Sequence, residues 1–266
     1  MTDNPGPAPL APSDALRFAF GTLTVLPAGV RRWDRAAARG GMLAAPVVGV
    51  VVGLAAATCG GVLTALGADP LLAAVGAVAV PAVLTRGLHL DGLADTADGL
   101  GSGKPAPDAL RIMKQSDIGP FGVITLVLVL LTQVASTAHC YAHSWQYGGV
   151  ATLTAAVTAR TALTLACRTG VPAARPEGLG ATVAGAVGRR PAAALSATCV
   201  LTAAALGTPF GGLTPLRATL ATATALTTSE ALLRRCLHRF GGTTGDVFGA
   251  LAETTTTTTL LILALR

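Results

Sequence analysis

Residues 86–103 read RGLHLDGLADTADGLGSG, which places Asp91, Asp95 and Asp98 within eight residues of a 266-residue chain that holds only 13 acidic groups. At i, i+4 and i+7, a helix would carry all three within about 60° of one face. Three like charges on one face repel one another, and away from water they demand a cation or protonation. Mg²⁺ suits such a site, because it takes hard carboxylate oxygens and commonly bridges to substrate phosphates. Gly87, Gly92, Gly99, Gly101 and Gly103 leave the backbone open to a bulky ligand. His89 stands beside the cluster as a hydrogen-bond donor or an acid–base group. The plainer alternative is an acidic helix end solvated among lipid headgroups.

A second motif, GGTTGDVFGALAE (241–253), repeats the logic: Asp246 and Glu253 are i, i+7, with Gly249 and Ala250 between them as a smooth groove. Asp246 also reads as an ordinary negative charge at a helix start. Glu253 precedes TTTTTTLLILAL and so sits at membrane depth, where ionisable groups usually face a site. The threonine hydroxyls there can bond back to helix carbonyls. Between the motifs lie RIMKQSDIGPFG (111–122) and ARPEGLG (174–180). Arg111, Lys114 and Arg175 either clamp phosphates or anchor the chain to a membrane face. Arg160 lies inside an apolar run, so it needs a partner, and the carboxylates are the expected source. His139 and His143 have metal-ligand spacing but sit among Tyr141, Trp145 and Tyr147, which reads as an interfacial aromatic belt.

The elements that must position these groups are membrane helices. Hydrophobic residues make up 52% of the chain and charged residues 12%, and the mean hydropathy is +0.62, outside the range of ordinary soluble domains. A span takes about 20 apolar residues. Windows at 41–67, 70–85, 119–140, 149–167, 192–209, 215–233 and 247–265 give about seven, hence an all-α polytopic bundle folded as a single domain over 1–266. The GVVVG element, Gly49 to Gly53, should admit a second helix closely. Residues 1–15 read as disordered and 16–40 as interfacial. No basic n-region precedes an apolar stretch at the N-terminus, so no cleavable signal peptide is expected. The five cysteines have no paired spacing and are expected as free thiols. Of the 19 Lys and Arg residues, 16 fall in alternate loops, which orients those loops, and the acidic motifs with them, toward the cytoplasm. Basic residues confined to short loops also argue against nucleic-acid binding.

In their order, GLHLDGLADTADGL, MKQSDIGPFG, ARPEGLGA and GGTTGDVFGALAE resemble the cobalamin synthase family, the adenosylcobinamide-GDP ribazoletransferases, from FAFGTLTVLP to the last helix. The resemblance implies an integral membrane enzyme of the inner membrane. Such an enzyme catalyses the last step of B12 assembly, joining adenosylcobinamide-GDP to α-ribazole or its 5′-phosphate with release of GMP and use of Mg²⁺. It implies metal ligation by Asp91, Asp95 and Asp98, with Asp98 or Asp246 orienting or deprotonating the attacking hydroxyl. Val25 and Asp117 stand where similar sequences often carry basic residues, and Arg31, Arg32 or Lys114 are the nearby substitutes. A CDP-alcohol phosphatidyltransferase-like enzyme is the alternative, although DGLADT lacks the arginine of its DGxxAR opening. An ion-coupled transporter would use Asp91, Asp95, Asp98, Glu230 and Glu253 as relays, yet it needs a path to both faces, and these acids cluster on one side apart from Glu230. Oligomeric state and base preference are left open.

Overall fold

The apolar run at 41–67 forms most of α2 (Arg35–Ala65), 31 residues and about 46 Å long. Asp34 caps it, accepting from the backbone N–H groups of Ala36 and Ala37. The Arg32 guanidinium, 2.7 Å away, holds that carboxyl below the usual carboxylate range. The computed structural model describes residues 10–265, and those residues form helices joined by short loops. Helix α1 (Pro12–Leu23) begins inside the segment expected to be disordered and buries Phe18, Ala19 and Leu23. Residues 1–9 of that segment lie outside the described residues.

α7 (Trp145–Ala166) is the most enclosed helix, and α2 lies along it. A Cβ on Gly49 would stand 2.7 Å from the Ala156 carbonyl oxygen, and one on Gly53 would stand 2.9 Å from Leu153 Cα. The GVVVG element therefore admits the second helix as expected. α3 (Pro70–Leu84) ends in two successive left-handed residues, Arg86 at φ 53° and Gly87 at φ 69°. They turn α4 (Leu88–Gly101) through 86° relative to α3. After the short α5 (Ala106–Ile112) come α6 (Pro120–His143), α7, the short α8 (Leu179–Val183), α9 (Arg189–Gly207), α10 (Thr214–Phe240) and α11 (Gly245–Ala264). α11 sits centrally, against α4, α6, α7 and α10. Thr255 to Thr259 each donate to the carbonyl four residues earlier, which satisfies their hydroxyls inside the helix. All five cysteines are free thiols, four of them buried.

The basic loops meet at one end of the bundle. Arg35 donates to the Gly185 carbonyl, Arg239 to that of Lys104 and Arg175 to that of Leu110. At the opposite end Tyr147 donates to the Leu263 carbonyl at 2.7 Å and meets Phe210 edge-on. Among the described residues five helices are long and apolar enough to cross a membrane: α2, α6, α7, α9 and α11; the bent pair α3 and α4 raises the number to six. The sequence expectation of about seven exceeds this at two places. α3 has only 15 residues, short of a full span. α10 has 27 residues, enough in length, but carries Arg217, Glu230, Arg234, Arg235 and Arg239 along it.

Candidate active site

Two glycines bring the acidic motifs together. A Cβ on Gly92 of α4 would stand 2.6 Å from the Asp246 carbonyl oxygen, and one on Gly249 of α11 would stand 2.8 Å from that of His89. The two backbones thus touch at Gly92 and Asp246, with Asp91 and Asp95 one and three residues along α4 from the contact. Asp95 lies in the electrostatic field of Asp246, Asp91 and Asp98, opposed by Arg175. Asp246 occupies the first turn of α11, whose N-cap Thr244 donates to it at 3.2 Å while accepting from Val247 N–H. Thr243 exchanges backbone hydrogen bonds with residues 172 and 174. Gly242 and Gly180 leave room for this contact, so the ARPEGLG loop is tied to the start of α11.

The other predicted residues divide. Asp98, 7% exposed, turns to α6, where its two oxygens accept from the backbone N–H groups of Gly119 at 2.8 Å and Gly122 at 3.0 Å. It caps the helix start, a role that residues more than twenty positions apart did not reveal in sequence. Arg175 reaches the acids, 3.6 Å from Asp246. Lys114 pairs with Glu177 at 3.3 Å and acts on Asp246 through its charge. Arg111 is 76% exposed and bonds Asp108 on its own helix, so the structure does not bring it to the acids. His89 is buried and sits about 200° around α4 from Asp91. Its Nε2 has no hydrogen-bond partner and lies in the field of Arg160.

Arg160 and Glu253 face a separate small cavity of about 40 Å³ deeper in the bundle, shared with Gln133, Thr137 and Thr152. Arg160 is 2% exposed, and its Nε and one terminal nitrogen have no partner. Glu253, not the aspartate triad, is the carboxylate in its field. Gln133 donates to Glu253 at 2.8 Å and to Thr257 at 3.0 Å. Sequence reading missed Gln133, although a lone amide in an apolar helix is itself a signal of an internal partner. Glu230 is an ion-pair partner of Arg168 and Arg234, each at 2.8 Å, which removes it from any relay.

Beside Asp91 opens a cleft of about 660 Å³ between the end of α1, the bend between α3 and α4, and the start of α6. Val25 and Arg86 both line it. Of the substitutes suggested for a basic residue at position 25, Arg32 pairs with Asp34 and Lys114 with Glu177. Among the described residues no three His, Cys, Asp or Glu side chains stand close enough to hold an ion by themselves. The donor set still fits Mg²⁺: Asp91 and Asp95 on α4 and Asp246 on α11 are hard oxygen donors, and Mg²⁺ commonly takes one or two carboxylates, with phosphate and water completing its shell.

A helical multi-pass membrane protein whose carboxylates converge where two helices cross beside an open cleft defines the class. The chain belongs to the CobS, cobalamin-5-phosphate synthase, family, whose model matches residues 15–264. It is 46% identical to an adenosylcobinamide-GDP ribazoletransferase of Frankia casuarinae, with 94% of each chain covered. It is 39% identical to the enzyme of that name from a Nocardioides species, over 95% of this chain and 99% of the relative, and 37% identical to that of Bradyrhizobium diazoefficiens, over 94% and 92%. No solved structure matches the chain.

Proposed function

We propose that this protein catalyses the last step of cobalamin assembly, transferring the cobinamide phosphate of adenosylcobinamide-GDP to α-ribazole or its 5′-phosphate and releasing GMP. A ribose hydroxyl attacks the cobinamide-side phosphorus, a new P–O bond forms, and the P–O bond to GMP breaks. The observation that carries this reading is the crossing of α4 and α11, which gathers Asp91, Asp95 and Asp246 at one polar end of an apolar bundle. Mg²⁺ held by Asp91 and Asp95 would neutralise the pyrophosphate and stabilise the departing GMP. Asp246, whose oxygens are not taken up by backbone donors, accepts the proton of the attacking hydroxyl. Arg175, beside it, neutralises phosphate charge while donating to the Leu110 carbonyl. Asp98 keeps the start of α6 against α4. The acidic end faces the cytoplasm of the cell membrane, and α3 and α10 complete seven crossings, a topology supported by the basic loops gathered at that end.

The test is purified protein in lipid nanodiscs with adenosylcobinamide-GDP, α-ribazole or its 5′-phosphate, and Mg²⁺, following GMP and corrinoid product. Turnover that stops on chelation and returns with Mg²⁺ is expected. Asp95→Asn, which removes a charged oxygen at nearly constant shape, is expected to lower kcat at least a hundredfold with the protein still folded. Wild-type protein that folds but releases no GMP would overturn the reading.

A further inference from the structure

The cleft beside Asp91 has the size of a small-molecule site, about 660 Å³. Its wall is divided by chemistry. Val25, Leu88, Leu90, Ile118 and Leu126 form an apolar side, and Arg86 and Asp91 supply its only charges. Arg86 is the one non-glycine among the described residues with a positive φ, 53°. A residue with a side chain costs more than glycine in that conformation, and such strain gathers at ligand sites. Among the described residues no hydrogen bond or ion pair ties down the Arg86 guanidinium, and its backbone is held by the bend: Arg86 N–H donates to Val83 O at 3.1 Å and Gly87 N–H to Ala82 O at 2.7 Å. The far wall is built rather than loose, because Val25 N–H donates to the Leu84 carbonyl at 2.8 Å and joins α1 to the bend.

We propose that this cleft takes the nucleoside substrate, with its flat apolar base against the leucine and isoleucine wall, and that Arg86 binds the 5′-phosphate. Charge and size both support the assignment. A corrinoid, several times the bulk of a nucleoside, does not fit in the cleft. A planar heteroaromatic base matches the apolar wall, and a terminal phosphate matches a free guanidinium, whose fork binds it in two places. Asp91 at the cleft edge then places the ribose beside the carboxylates. The inference rests on the transferase reading above, and it makes Arg86 the residue that distinguishes phosphorylated from unphosphorylated acceptor.

The experiment compares wild type, Arg86→Gly and Arg86→Lys in nanodiscs, measuring kcat/KM for α-ribazole and for α-ribazole 5′-phosphate and, separately, equilibrium binding of each labelled acceptor without the cobinamide substrate. Arg86→Gly is expected to reduce the preference for the 5′-phosphate tenfold or more, in binding as in kinetics, and to raise the thermal midpoint because glycine relieves the bend. Arg86→Lys is expected to retain most of the preference. The same fractional loss for both acceptors, or none, would overturn the proposal. Binding of the acceptors without any turnover would reject the transferase reading while leaving the subsite in place. Leu88→Trp, which fills the apolar side, is expected to weaken both acceptors alike; undiminished binding of both would place the base elsewhere.

Discussion

Arg160 and Glu253 face the same cavity on α7 and α11 with no direct ion pair between them, so the cavity's roughly 40 Å³ is room for bridging water. Removing one member of a buried pair leaves the other uncompensated, at a cost of about 3–5 kcal/mol, whereas removing both costs far less. Glu253→Gln and Arg160→Gln are therefore each expected to lower the thermal unfolding midpoint in detergent, with the double variant recovering much of the loss. Additive losses would show that the two charges are not coupled. Asp98 is a different case. With both oxygens receiving backbone N–H donors, Asp98→Asn turns an amide N–H₂ toward one of them and is expected to cost about 1–3 kcal/mol, read from the same melting curves. The need of Arg160 for a carboxylate was legible from its place in an apolar run. That the partner would be Glu253 was not, because 93 residues separate them and only the fold joins α7 to α11. Glu230 was unreadable for the same reason, its partner Arg168 lying 62 positions away.

Helix crossings were half written in the sequence. GVVVG announced a close approach, and its partner proved to be α7. The glycines of DGLADTADGL were read as access for a ligand and Gly249 as part of a smooth groove, yet Gly92 and Gly249 serve the contact between α4 and α11 itself. The difference can be measured within one motif. A Cβ at Gly249 would meet backbone atoms of His89 and Gly92 that cannot give way, whereas one at Gly245 would meet open space. Gly249→Ala and Gly92→Ala are expected to separate the helices and lower both kcat and the melting temperature, while Gly245→Ala is expected to leave both close to wild type. Equal effects at Gly245 and Gly249 would mean that the crossing does not set the site. The 86° bend between α3 and α4 was hidden, since a left-handed arginine has no sequence signature.

For the molecule as a whole, composition carried the all-helical architecture of apolar helices, and the arithmetic of span length is where the sequence and the structure part. α3 is short and α10 polar, yet both run between the same two ends as the apolar helices. Ala65, at the end of α2 just before α3, lines the same cleft as Trp145, and Leu84 at the end of α3 is bonded to Val25. Phe210 before α10 meets Tyr147, and Arg239 at its end donates to Lys104. On the topology proposed above, both helices cross the bilayer, which would thin locally around α3, while α10 packs against α9 and α11. Labelling decides this. In a background with the five native cysteines replaced, Gln115→Cys is expected to react with a membrane-impermeant thiol reagent only after cells are opened, and Gln146→Cys in intact cells. Leu213→Cys, in the exposed turn before α10, separates the topologies: reaction in intact cells, with Gln115→Cys protected, requires α10 to cross back to the site end, and protection there would put both ends of α10 on one face.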